Sequence, residues 1–113
     1  MADCLFCRIV AGEIPATVVR ESPRILAFRD IAPQAPTHVL VVPRDHHANI
    51  AGLVADDPAL AIELLQEAHA VAAAERVADA GYRLVFNTGD DAGQTVHHVH
   101  AHVLGGQPLG HLA

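Results

Sequence analysis

The sequence predicts an α+β fold: an antiparallel five-stranded sheet with a short N-terminal helix and one long helix. Three observations lead there. The elements run in the order helix, strands, long helix, strands. The long helix is marked at both ends, by Asp57-Pro58 at its start and Gly81 at its stop. No internal repeat, linker or low-complexity segment divides the 113 residues, which fit one domain over 1–113.

Each element has its own signal. Asp3 caps a short helix over 4–11, and Gly12 stops it. Pro15 then breaks helical geometry. "ATVVRE" (16–21) and "RILAFRD" (24–30) read as strands joined by a turn at Ser22-Pro23. "IAPQAPTH" (31–38), with two prolines, is a rigid loop. "HVLVVP" (38–43) is nearly all apolar and reads as a strand buried on both faces, ended by Pro43. In the long helix, 58–80, Leu60, Leu64, Ala68 and Val71 recur at helical spacing and form the buried face. "YRLVF" (82–86) is the fourth strand. "NTGDDAGQ" (87–94) is a polar loop. "VHHVHAHVL" (96–104) is the fifth strand, ended by Gly105-Gly106.

Composition narrows the function. Hydrophobic residues make up 51%, which excludes a disordered chain. Aromatics are only 4%, so alanine and valine must fill much of the interior. Such a core gains less per residue, and help from an oligomer interface or a bound ion is expected. The formal charge is −6 and no two basic residues are adjacent, so a nucleic-acid surface is not expected. No apolar run approaches the roughly 20 residues that span a bilayer. The start, Met1-Ala2-Asp3-Cys4, lacks a basic stretch and a long apolar stretch, so the expected location is the cytoplasm.

The richest segment is the fifth strand. Side chains alternate along a strand, so His98, His100 and His102 fall on one face, neighbours in the row about 7 Å apart. Val99, Ala101 and Val103 take the other face, and His97 falls with them unless a bulge precedes it. The triplet by itself fits a metal site, a neutral-imidazole catalyst, or a polar face that happens to be rich in histidine. Asn87, Gly89, Gly93, Gln94 and Thr95 lie just before it. Glycine lets backbone N–H groups approach an anion, and Gln94 and Thr95 add side-chain donors. Histidines beside a phosphate cradle favour phosphoryl or nucleotidyl transfer over a simple metal site. Cys4 and Cys7 lie on one face of the first helix, where two thiolates make half of a tetrahedral zinc site. The other readings of that pair are two buried free thiols, or a redox pair lacking the usual βαβ surroundings.

These residues are similar to those of a known family. "HVHAHVL" (98–104) fits the His-x-His-x-His pattern of the histidine-triad (HIT) nucleotide-binding proteins. "CRIVAGEIPA" (7–16), "DIAPQAPTHVLVVP" (30–43) and "GQTVHHVHAHVLGG" (93–106) resemble the Hint branch, in order along nearly the whole chain. His102 argues against the uridylyltransferase branch, where glutamine is typical. The dinucleoside polyphosphate hydrolase branch shares the triad.

The resemblance implies a purine nucleoside phosphoramidase. His100 would attack the α-phosphorus and form a nucleotidyl-histidine that water hydrolyses. His102 would contact the phosphate and help protonate the leaving amine. His98 and His38 would support the triad. Asp30 would hold the ribose hydroxyls, although by default it is a strand-end turn residue. Phe6, Ile9, Ile14, Phe28 and Ile31 would line the base pocket, although Phe6 and Phe28 would by default be plain core. Asn87, Gly93, Gln94 and Thr95 would surround the phosphate and leaving group. An imidazole titrates ordinarily near pH 6.5, so a neutral nucleophile and a protonated partner are expected to coexist near neutrality.

The resemblance also implies a structural zinc ion on Cys4, Cys7, His46 and His98, with no cofactor required for catalysis. His97 stands where Hint relatives often carry an aromatic residue, and it replaces His98 as ligand if the strand is bulged. His47, His69 and His111 read as surface residues. The expected ligand is a purine nucleoside monophosphate or phosphoramidate. The expected assembly is a homodimer whose two sheets form one continuous sheet, with the long helix at the interface and the small-residue stretch "AHAVAAAERVA" (68–78) suited to close packing. The short tail "QPLGHLA" (107–113) lacks the tryptophan-containing ending of animal relatives, so leaving-group preference stays open. The alternatives are a dinucleoside polyphosphate hydrolase and a non-enzymatic nucleotide-binding or scaffold protein.

Overall fold

The computed structural model describes residues 4–112. Among them the order is α1 (Leu5–Val10), β1 (Val18–Glu21), β2 (Ile25–Arg29), β3 (Thr37–Pro43), α2 (Ile50–Asp56), α3 (Pro58–Ala74), β4 (Tyr82–Val85) and β5 (Ala101–Gly105). A single 3₁₀ turn spans Asp90–Ala92. All strand pairs are antiparallel, in the spatial order β1-β2-β3-β5-β4. The predicted α+β architecture with a five-stranded antiparallel sheet is the one observed.

The sheet separates two cores. On one face Val39, Val41, Val99, Ala101 and Val103 meet Leu60, Leu64, Ala68 and Val71 of α3 and Leu53 of α2. On the other, Phe28, Leu40 and Val42 meet Phe6 of α1. β3 sits between, with every residue buried. That explains its unbroken apolar sequence: it is covered by helix on both sides. The register decides what lies beside what. Leu40 pairs with His102 and His38 with Leu104, so His38 and His102 are diagonal neighbours on the α1 face.

Several elements differ from expectation. Asp3, expected to cap α1, lies outside the described residues; the N-cap is Cys4, whose sulfur accepts from Cys7 N. α2 has no counterpart in the sequence reading. Its cap is Asn49, whose Oδ1 accepts from Gly52 N at 2.8 Å. Asp57 closes α2 and opens α3, accepting from Leu60 N at 3.1 Å while Arg24 donates to its other oxygen at 2.8 Å. α3 stops at Ala74, six residues before the expected end at 80. The chain turns there through Arg76, with φ of 62°, rather than running on to Gly81. Ladder pairing in β5 begins only at Ala101, so His98 and His100 precede the strand. Ala68 and Ala72 of the small-residue stretch pack within this chain's own core, not on an outer face.

Candidate active site and metal centre

Although the segment 96–100 is not paired in the sheet, its side chains keep the alternation. Val99 joins the core beneath α3, and its N–H donates to His47 O at 2.7 Å. His98 and His100 turn to the α1 face, where the edge of Phe6 packs against both rings, at 6.0 and 5.0 Å between centroids. His100 and His102 follow at 4.9 Å. The predicted histidine row is therefore one contiguous cluster.

Fixed backbone groups decide the tautomers of His38, His98 and His100, and through His38 that of His102. Gln34 N donates to His38 Nδ1 at 3.1 Å, so the His38 proton is on Nε2. That Nε2–H donates to His102 Nδ1 at 3.0 Å, which leaves Nε2–H as the donor of His102. Asp30 Oδ2 lies 3.5 Å from the same His38 nitrogen. His100 Nδ1 donates to His98 O at 2.8 Å, so its Nε2 holds a free lone pair. His98 Nε2 donates to Pro43 O at 2.8 Å, so its Nδ1 holds the lone pair. His38, His98 and His100 are each fixed by a backbone group, and His102 is fixed in turn by His38.

Burial holds the His98, His100 and His102 rings neutral. It is the main reason that His98 and His100 titrate below the ordinary imidazole range. His102 falls to about 4, through burial first and then the nearby His100 and His38 rings. The expected coexistence of a neutral and a protonated ring near pH 7 is therefore not the resting condition of the free site.

Beside the row lies an apolar cavity of about 300 Å³. Phe6, Ile9, Ile14, Phe28, Asp30 and Ile31 all line it, together with Leu5, Leu40 and Val96. The structure thus brings together in one cavity all six residues that the resemblance implied around a base and ribose. It adds Val96, Leu5 and Leu40, which in the sequence are indistinguishable from core. Asp30 closes the polar end, and its Oδ1 accepts from Ala32 N at 2.8 Å.

The loop at 87–94 is built differently from expectation. Both amide donors of Gln94 are engaged, with Ala48 O at 2.7 Å and Val96 O at 3.0 Å, and its Oε1 accepts from Gly89 N. Gly93, with φ of 84°, donates to Asp90 O. Gln94 and Gly93 thus brace the loop, and their donors are not free for a phosphate. A polar side chain buried at 5% exposure must find its partners inside, and Gln94 does. Asn87 remains half-buried and Thr95 exposed.

A second cluster lies across Phe6. The ligating atoms of Cys4, Cys7, His46 and His98 are all within 4.8 Å of one another. Cys4 Sγ and Cys7 Sγ stand 3.3 and 3.4 Å from His98 Nδ1, and Cys7 Sγ stands 3.4 Å from His46 Nδ1. Tetrahedral Zn–S and Zn–N bonds imply an S···N edge of about 3.5 Å, so two thiols and two imidazoles at these separations fit zinc. Pro43 O fixes the His98 tautomer that ligation needs. Burial, then Cys4, pushes the Cys7 thiol up to about 11, so a metal must displace its proton. Burial lowers His46 and keeps its ring neutral. His97, the alternative ligand, is exposed and lies 4.0 Å from Asp90, outside the cluster. Asp30, His38 and His102 also converge, but there the His38 nitrogen carries a proton already given to His102, so that trio is a hydrogen-bond relay and no metal cradle.

An antiparallel sheet carrying an alternating histidine row beside an apolar cleft is the arrangement of a histidine-triad protein. The HIT domain model matches residues 11–109, and the chain belongs to the HIT family. An uncharacterized HIT-like protein of Synechococcus elongatus is 49% identical over 107 residues, covering 95% of this chain and 93% of that one. The purine nucleoside phosphoramidase of Escherichia coli is 39% identical over 108 residues, covering 96% and 91%. The crystal structure of a HIT family hydrolase from Legionella pneumophila superposes with a TM-score of 0.91, at 52% identity and 96% coverage of both chains.

Proposed function

We propose that this chain, acting as a single HIT domain over 1–113, hydrolyses purine nucleoside phosphoramidates to the nucleoside monophosphate. The observation that carries the proposal is the 2.8 Å hydrogen bond from His100 Nδ1 to His98 O, which makes His100 Nε2 a fixed, unprotonated nucleophile. The similarity to the Escherichia coli phosphoramidase supports the substrate class.

The base occupies the cavity between Phe6, Ile9, Ile14, Phe28 and Ile31, and the ribose hydroxyls reach Asp30. His100 Nε2 attacks the α-phosphorus, the P–N bond breaks, and the amine leaves. Positive charge grows on the His100 ring during attack, and the His98 carbonyl oxygen stabilises it through Nδ1–H. His102 donates Nε2–H to the phosphoryl oxygen, held in that tautomer by His38. As the P–N bond breaks, the His102 Nε2 proton passes to the leaving nitrogen, and the water of the second step returns a proton to His102 Nε2. Water cleaves the nucleotidyl-His100 bond in the second step and restores the ring. Thr95 and Asn87 are proposed at the phosphate and leaving-group side.

Zinc is proposed on Cys4, Cys7, His46 and His98; when bound it supplies a cross-link between α1 and the histidine segment. The proposed assembly is a homodimer: among the described residues β4 is an edge strand of the sheet, and α3 exposes Ile62 and Leu65. No described helix is long and apolar enough to cross a membrane. Free cysteines support the cytoplasm as the location.

Adenosine 5′-phosphoramidate and a diadenosine polyphosphate, each given to wild type and His100→Ala, test the reading. Phosphoramidate turnover lost in the variant is expected. Preferred turnover of the polyphosphate shifts the substrate class. Binding of nucleotide with no turnover of either substrate leaves a binding module.

A further inference from the structure

We propose that Cys4 and Cys7 form an oxidation site: a peroxide converts the pair to a disulfide, releases the metal, and thereby opens the nucleotide pocket. The proposal rests on the zinc and nucleotide reading given above.

Three observations support it. First, the sulfurs are reachable. Both cysteines are only partly buried, and a cavity of about 320 Å³ opens onto Cys4 and His46 between α1 and residues 95–97. Second, they can join. One helical turn brings residues i and i+3 to about 5–6 Å, and Cys4, as the extended N-cap, lies outside the helix and can adjust toward Cys7.

Third, the metal site and the nucleotide pocket share α1. That helix has six residues, far too few to hold helical structure alone. Its one buried residue is Phe6, which lies between the two cysteines in sequence. Phe6 walls the base cavity, meets Phe28 at 5.4 Å between centroids, and packs edge-on against His100 at 5.0 Å. His98 makes the second tie, since its ring faces the cysteines and its carbonyl holds His100.

The chemistry balances. One thiolate attacks a peroxide oxygen, the O–O bond breaks, and a sulfenic acid and hydroxide form. The second thiolate attacks the sulfenic sulfur, the S–S bond forms, and hydroxide leaves. Two electrons pass from the sulfurs to the peroxide, and two protons from solvent complete two waters. The metal keeps only His46 and His98 and dissociates as the hydrated ion. α1 then loses its cross-link, and Phe6 no longer holds the pocket wall.

The experiment treats zinc-loaded protein with hydrogen peroxide and follows zinc release, intact mass and AMP affinity. The expected result is one zinc released per chain with a mass loss of about 2 Da for the disulfide. AMP affinity falls by about 10-fold or more, an ordinary size for coupled sites. Thiol reductant plus zinc restores it. A Cys4→Ser variant cannot form the disulfide, and its AMP affinity, whatever the starting value, does not respond to peroxide. Zinc retained after oxidation overturns the proposal. So does zinc release with unchanged AMP affinity, or an equal response in Cys4→Ser. Untreated protein that lacks zinc or does not bind AMP fails the earlier reading, and the switch with it. Untreated protein that has both, and keeps its affinity once oxidised, fails the switch alone.

Discussion

His38 Nε2 lies 3.0 Å from His102 Nδ1, and the direction of that hydrogen bond is set two steps away by the backbone N–H of Gln34. The Nε2–H tautomer of His102 is thus specified by a loop amide. His38→Leu removes the donor and leaves His102 free to take either tautomer. We expect kcat for phosphoramidate to fall about 10- to 100-fold, within the range of a mispositioned acid or base, with AMP affinity less affected. Loss of a buried hydrogen bond costs about 1–3 kcal/mol of stability. Steady-state kinetics with a urea denaturation curve check both. Full activity in the variant removes the relay from the mechanism.

The pH dependence of stability follows from the same ring. Folding lowers His102 from an ordinary value of about 6.5 to about 4. The unfolded chain therefore binds the extra proton throughout that interval while the folded chain does not. Stability is full above about pH 6.5 and declines as pH falls toward 4. His98 and His100 shift in the same direction and add to the decline. Urea midpoints at about pH 7 and about pH 4.5 should show the loss, with a shallower drop in His102→Gln. An equal drop in the variant would place the effect elsewhere.

Metal removal tests the four-residue cluster. Chelator-stripped protein should melt several degrees lower, since a ligand held at about 1,000-fold over its Kd adds about 4 kcal/mol. Zinc should restore the melting temperature at one equivalent. In hydrogen exchange the amides of α1 should lose protection before those of β3, because α1 is the short element that carries two of the four proposed ligands, at or beside its start. No change in either measurement would count against a structural metal.

Arg76 predicts a stabilising substitution. Its φ of 62° puts a residue with a Cβ where glycine is preferred. Arg76→Gly should raise stability by about 1 kcal/mol, or about 3–5 °C in Tm for a chain of this size. Calorimetry of the two proteins decides it, and a lower Tm would mean that the Arg76 side chain contributes more than its backbone costs.

Legibility in the sequence followed the range of the forces involved. Strand β3 could be read because burial on both faces leaves an unbroken apolar run. The histidine row could be read because alternation survives even where pairing stops, at His98 and His100. The cavity residues came from the family resemblance, since Phe6 and Phe28 by themselves look like core. Helix α2 was missed because its cap, Asn49, precedes a segment with Gly52 near its start and only Leu53 fully buried. The end of α3 was misplaced because Gly81 is the residue a stop predicts, while the chain uses Arg76. Gln94 could not be assigned from sequence, since its partners, Ala48 O and Val96 O, are brought to it only by folding. The tautomers were beyond reach for the same reason: Gln34 N, Pro43 O and His98 O are backbone atoms, and backbone atoms carry no residue letter.

That last point bears on what selection can see at position 98. Toward His100 this residue offers a carbonyl, which all twenty amino acids possess. Its imidazole serves the cysteines and Pro43 instead. The proposed chemistry demands of position 98 only a location, whereas the proposed metal site demands an identity. A lineage that replaced Cys4 and Cys7 with a packed apolar contact would be free to change this histidine while keeping the proposed nucleophile, His100. The first letter of the triad would then drift with the first helix, and the second and third would stay with the substrate.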